Sequence, residues 1–173
     1  MMEMATRALI VGTGMSVPEN VVTNDDLAKI VDTSHEWIFQ RTGIAERRVC
    51  LETDSCSQLA TKALEQALQN ANLDAAELDV ILVATVSGDH IFPATSCLVQ
   101  NNLGAKNAAA MDLGAACAGF IFGSSVAASM IESGHAKTVG VVGVDTLTRF
   151  LDWSDRSTCV LFGDGAGAAI FQA

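Results

Sequence analysis

The stretch at residues 79–86 (DVILVATV) places the tightest limit on the fold. It is an apolar run of strand length without polar alternation. A strand of that kind needs cover on both faces, as in a parallel sheet held between helices. Ahead of it, residues 55–72 carry Leu59, Ala63, Leu64, Ala67, Leu68 and Ala71 at three- and four-residue spacing. That spacing makes an amphipathic helix with one apolar stripe. The rest of the chain repeats the alternation. Residues 7–14 read as a buried strand ending in a glycine turn. Thr23 with Asp26 caps a short helix through Ile30, and Thr33 with Glu36 caps a second over residues 37–41 that stops near Gly43. Residues 95–103 and 118–133 are helices stopped by Gly104 and Gly134. Residues 108–113 and 138–144 are strands, and residues 159–171 supply one or two more. Strands and helices in turn, joined by short loops, imply one layered α/β domain over residues 1–173 around a mostly parallel sheet.

Composition narrows the function. The chain is 50% hydrophobic and adds 14 glycines, above the roughly 45–50% common in soluble domains when glycine is counted with the apolar residues. Mean hydropathy is +0.34. No uninterrupted apolar stretch of about 18 residues occurs, so no membrane span is expected. The start does not read as a signal peptide either, because Pro18 and Glu19 soon follow the first apolar run. The excess points either to a surface covered by a missing domain or partner subunit, or to a plain alanine-rich domain. The net charge of −10 argues against nucleic acid, whose phosphates require a basic footprint. An anionic ligand must then be held by a few local Arg or Lys residues. The 5 cysteines and 3 histidines have no zinc-ligand spacing, so no metal is expected, and free thiols suit a reducing cytoplasm.

The segment MDLGAACAGFIFG (residues 111–123) sets Cys117 where a strand hands over to a helix. Its small neighbours let the chain bend sharply and let a substrate reach the backbone. A thiol at a helix start lies beside unpaired N–H groups and the positive end of the helix dipole. The dipole is worth about 1 kcal/mol, less than one pKa unit, so full activation still needs a base or hydrogen-bond partner. The same N–H groups suit the oxygen of a tetrahedral intermediate. The competing reading makes Cys117 a small core residue.

Four segments in order resemble the β-ketoacyl-acyl-carrier-protein synthase III family. They are DTSHEWIFQRTGIAERR (32–48), ATVSGDHIFP (84–93), DLGAACAGF (112–120) and DRSTCVLFGDGAGAAIF (155–171). The resemblance implies a thiolase-like fold, of which this chain is the amino-terminal half of a five-layer αβαβα arrangement, with the carboxy-terminal half absent. The chain's end in a strand-like segment agrees with that. It also implies that Cys117 accepts a short acyl group from acyl-coenzyme A. The acyl-enzyme then condenses with malonyl-acyl-carrier protein to start fatty-acid synthesis in the cytoplasm. Trp37 matches the residue that stacks on the adenine of coenzyme A, and Arg156 the guanidinium on its other face. Arg41 and Thr33 match residues near the nucleotide and its phosphates. Phe92 matches the residue that crosses a homodimer interface to wall the partner's acyl pocket. No cofactor beyond the coenzyme A thioester is implied.

Trp37 and Arg41 are four apart and share a helix face, and an aromatic ring with a guanidinium can clamp a flat base. The plainer readings are core packing for Trp37 and a surface pair with Asp152 or Asp155 for Arg156. The family's His and Asn lie in its second half, and His35, His90 and His135 do not match them. The glycines at 12–14 and 163–167 lack the pattern of a dinucleotide loop and read as turns where strands cross or pack closely. Asp164 suits an Asx turn, and Asp145, Asp152 and Asp155 suit a solvated loop. Three readings of function remain. One is the condensing enzyme, one a sister acyl transfer to another nucleophile, and one a non-catalytic half that needs a second chain.

Overall fold

The computed structural model describes residues 6–173. Its elements run β1 (Leu9–Ser16), β2 (Val21–Thr23), α1 (Asn24–Leu27), α2 (His35–Thr42), β3 (Glu46–Arg48), α3 (Cys56–Ala71), β4 (Val80–Ala84), α4 (Thr95–Leu103), β5 (Ala109–Leu113), α5 (Gly119–Glu132), β6 (Thr138–Thr146), α6 (Arg156–Cys159) and β7 (Asp164–Gln172). The main sheet has 5 strands in the order β1-β7-β6-β4-β5. The pairings of β4 with β5 and with β6 are parallel, and those of β7 with β6 and with β1 are antiparallel. β7 alone therefore opposes the other strands, and the sheet is mixed but mostly of one direction.

β4 shows why the fold is layered. All of its residues are buried. Ile81 and Val83 point to one face, where they join Leu64, Ala67, Val99 and Ile170 beneath α3 and α4. Val80 and Leu82 point to the other, where they join Ala127 and Ile131 of α5. This is the two-residue side-chain period of a strand, filled by helices on both sides. The result is three layers, α3 and α4 over the sheet over α5. β1 departs from its expected burial. It forms a sheet edge, with Leu9 61% and Met15 61% exposed.

α3 lies directly on β1. A Cβ on Gly12 would sit 2.3 Å from the carbonyl oxygen of Ala67, and one on Gly14 would sit 2.2 Å from that of Ala63. No side chain fits there. The turn expected at these glycines is absent, since β1 runs through both to Ser16, and the close packing is that of a helix on the strand.

A smaller lobe surrounds Leu27, Ile38, Cys159 and Val160, with Trp37 and Trp153 against them. It holds the two-stranded β2–β3 sheet. Arg47 is buried within it and donates to the carbonyls of Val22 and Val160 and to Asn24 Oδ1. Loss of hydration pulls the Arg47 pKa down from its ordinary value.

Several local expectations change. α1 is capped as expected: Thr23 accepts from the Asp26 N–H, and the Asp26 carboxylate accepts from the Thr23 N–H. α2 is capped by Ser34, whose side chain accepts from the N–H of Trp37, and not by Thr33. Thr33 Oγ1 is buried without a partner. Both residues can cap in principle, and one step in register decides which hydroxyl reaches the third N–H. Cys159 ends a short helix, and the strand begins only at Asp164. Asp164 makes no local Asx turn. Its carboxylate accepts from the N–H of Cys50 at 2.7 Å and from the N–H and hydroxyl of Thr148 at 2.9 and 2.5 Å. Asp155 caps α6, and Asp145 lies on β6.

Candidate active site

The chain leaves β5 at Leu113, bends through Gly114 and Ala115, and reaches Ala116 with φ 45°. A left-handed backbone at a residue with a Cβ costs about 1–2 kcal/mol. A short 3-10 turn at Ala116–Ala118 carries Cys117 just ahead of α5. The helix can start there because Gly119 presses on β4: a Cβ on Gly119 would meet Ala84 Cβ at 2.7 Å. The first turn of α5 has no side-chain cap. The preceding turn instead takes the Ala118 N–H to the carbonyl of Ala115 and the Gly119 N–H to that of Ala116.

Cys117 is the exposed member of the five cysteines. Cys56 and Cys159 are buried, and Cys50 and Cys97 are partly buried. Burial, and then the Asp164 carboxylate, push the Cys50 thiol up to about 12. Burial pushes Cys56 up to about 11, and also raises Cys159. Those thiols are held neutral, and the core-residue reading of Cys117 does not survive. Cys117 lines an open cleft of about 270 Å³ with Ala84, Phe120, Gly143, Asp145 and Gly163. Among the described residues no histidine lines it.

The stacking residues meet in the smaller lobe. The Arg41 guanidinium carbon lies 4.2 Å from the centroid of the Trp37 ring, and that of Arg156 lies 4.7 Å from it. Arg156 pairs with neither Asp152 nor Asp155. Its Nη1 donates to the carbonyl of Asp32 at 2.7 Å, beside Thr33. Asp152 binds Ser154 instead, and Asp155 binds Ser157 and Thr158, and these hydrogen bonds lower both carboxyl pKa values. The structure thus gathers Thr33, Trp37, Arg41 and Arg156 into one cluster. A flat base between Trp37 and Arg156 needs two carbon–carbon gaps, or roughly 7 Å. Arg156 must therefore draw back by about 2 Å to admit one. Phe92 is elsewhere, 89% exposed on the loop between β4 and α4.

The Asp145 cluster was not legible as a site. Its Oδ1 accepts from Thr85 Oγ1 at 3.2 Å, the N–H of Val86 at 2.9 Å and Ser87 Oγ at 2.8 Å. A carboxylate at the carboxyl end of a parallel strand was the available signal, since ligand sites of open α/β sheets gather there. Among the described residues, no group of three or more His, Cys, Asp or Glu side chains is placed to hold a metal ion. No helix there is long and apolar enough to cross a membrane.

The layered sheet with a cysteine bend between β5 and α5 is that of the thiolase-like α/β proteins. The chain superposes on 3-oxoacyl-[acyl-carrier-protein] synthase III from Aquifex aeolicus with a TM-score of 0.93 and 52% identity, covering 96% of this chain and 54% of that one. On the priming β-ketosynthase of the R1128 polyketide pathway the TM-score is 0.93 at 37% identity, over 99% and 52% of the two chains. Residues 111–173 match the family model described as 3-oxoacyl-[acyl-carrier-protein (ACP)] synthase III. The β-ketoacyl-[acyl-carrier-protein] synthase III of Xanthomonas oryzae is 55% identical over 95% of this chain and 50% of its own length. That of Xylella fastidiosa is 56% identical over 96% and 51%. The chain belongs to the β-ketoacyl-[acyl-carrier-protein] synthase III family, and it spans about half the length of these relatives.

Proposed function

We propose that this chain carries the acyl-accepting half of a condensing enzyme of fatty-acid synthesis, with Cys117 as the nucleophile. The exposure of Cys117 at the strained bend before α5 carries the reading. The thiolate adds to the carbonyl carbon of a short acyl-coenzyme A. The tetrahedral oxyanion is held by backbone N–H at the bend that bears the sulfur, and the C–S bond to coenzyme A breaks, leaving an acyl-cysteine. Malonyl-acyl-carrier protein then loses CO2, and its carbanion attacks the acyl-cysteine. The β-ketoacyl product stays on the carrier and the cysteine thiolate is released. Trp37, Arg156, Arg41 and Thr33 take the nucleotide end of coenzyme A. A cationic and aromatic cluster supplies what an otherwise acidic chain lacks for an anionic ligand. The thioester chemistry uses no further cofactor.

Assembly follows the same reading. The chain works in the cytoplasm as a homodimer, with Phe92 in the partner's acyl pocket. The 89% exposure of Phe92 and the unpaired outer edge of β5 favour such a contact.

The test is mass spectrometry after incubation with acetyl-coenzyme A. The expected result is one acetyl adduct on Cys117, lost in Cys117→Ser. An unmodified Cys117 in a folded chain would overturn the proposal. It would favour the second reading, an inert half that needs another chain. The exposed Phe120, Ile121 and Phe122 of α5 are the observation behind that alternative.

A further inference from the structure

The loop from β4 to α4 carries the exposed Ile91 and Phe92, yet its stem is tied down at each step. Asp145 Oδ1 takes the Thr85 hydroxyl, the Val86 N–H and the Ser87 hydroxyl. Ser87 is 1% exposed, and its Oγ also accepts from the N–H of Thr146 at 2.7 Å. Arg149 donates to the carbonyls of Ser87 and Gly88. The Asp89 carboxylate then accepts from the N–H groups of Cys56 and Ser57 at 2.7 and 2.9 Å, at the start of α3. Beyond the loop, Asp112 accepts from the N–H groups of Thr95 and Ser96 at 2.8 and 2.7 Å.

Asp145 differs from the other anchors because it also lines the Cys117 cleft, together with Gly143 and Val144 of β6 and with Ala116 and Cys117 of the turn. Ala84, on the same wall, directly precedes Thr85. One carboxylate therefore joins β6, the wall of the cleft and the stem of the Phe92 loop. We propose that Asp145 is a positioning residue that fixes the shape of the Cys117 cleft by clamping residues 85–87 against β6. The role rests on accepting three hydrogen bonds at one oxygen, not on charge. Networks of this kind fail as a unit when their shared acceptor is lost, because several donors are left unpaired together. The consequence concerns which acyl groups can approach the sulfur, and so deepens the proposed function and rests on it.

The experiment uses the whole chain and two thiol reagents of different size, iodoacetamide and N-phenylmaleimide, with Cys117 modification followed by peptide mapping. The ratio of the two rates cancels the general reactivity of the thiol and reports the shape of the cleft. Asp145→Ala is expected to change that ratio at least fivefold and to speed hydrogen exchange of the Val86 and Thr146 amides at least tenfold. Asp145→Asn keeps an oxygen that can accept the same bonds, and is expected to restore both readouts to within about twofold. Ser87→Ala, which removes one arm of the clamp, is expected to shift both in the same direction by less, and it carries the test should Asp145→Ala fail to fold. An unchanged ratio in Asp145→Ala or Ser87→Ala overturns the proposal. So does an equal change in Asp145→Asn, which would make charge the operative property. Neither readout needs acyl-coenzyme A. A chain that takes no acetyl group defeats the functional reading and leaves the clamp to be judged on these ratios.

Discussion

A sulfur atom's surroundings separate Cys117 from its four counterparts. Cys50 and Cys56 have thiols raised to about 12 and about 11, burial being the first cause in both. Such groups stay protonated at neutral pH and react slowly, since the thiolate is the nucleophile. The shift has a consequence for stability. An unfolded thiol loses its proton near its ordinary value of 9.0, whereas folded Cys50 holds it to about 12. Below pH 9 both states are protonated and the contribution is intact. As pH rises from 9 toward 12 the unfolded state is favoured and stability falls. Urea midpoints measured at steps from pH 8 to pH 11 should decline above pH 9, and Cys50→Ala should make the decline shallower, with Cys56 and Cys159 supplying the remainder. A midpoint that stays level in the parent chain over that range would contradict the buried-thiol account.

At the scale of elements, the start of α2 and the contact of α3 with β1 are the sharpest cases. Ser34 caps α2, while Thr33 keeps a buried hydroxyl with no partner. Ser34→Ala should therefore cost about 1 kcal/mol. Thr33→Val, close in shape and without the orphan hydroxyl, should be neutral or stabilising. Equilibrium urea unfolding distinguishes the two, and a larger loss in Thr33→Val than in Ser34→Ala would return the cap to Thr33. Where α3 crosses β1, Gly14→Ala would place a Cβ 2.2 Å from the backbone oxygen of Ala63. Backbone cannot give way as a side chain does, so the loss should reach about 1–3 kcal/mol or more. Unfolding of Gly14→Ala at the parent's midpoint would show that α3 does not sit where the structure has it. Helix spacing located α3 well because its apolar stripe is long. The cap of α2 was misplaced by one residue because adjacent Thr33 and Ser34 carry the same functional group.

For the whole molecule, the exposed start of α5 is the main feature. Phe120, Ile121 and Phe122 are 38, 66 and 57% exposed, apolar surface of the kind a partner or further domain covers. The chain spans about half the length of its relatives, and under the proposed function the groups that complete the site lie outside it. Alone, the chain should give no measurable condensation of acetyl-coenzyme A with malonyl-acyl-carrier protein, a loss of several orders of magnitude. Supplying the remaining half of a relative as a second chain should restore turnover. Full turnover by the 173-residue chain on its own would end the half-enzyme account.

The sequence by itself determined the layered α/β fold, the strand-to-helix bend at Cys117, and the shared face of Trp37 and Arg41. Each is a matter of local periodicity or spacing. Only the tertiary structure decided that β7 runs against its neighbours, that Asp145 anchors a distant loop instead of facing solvent, and that Asp164 does the same instead of closing an Asx turn. A carboxylate's sequence neighbours do not show which backbone N–H groups the folded chain will bring to it. That depends on strand order and register, which are settled when the separate faces are buried together.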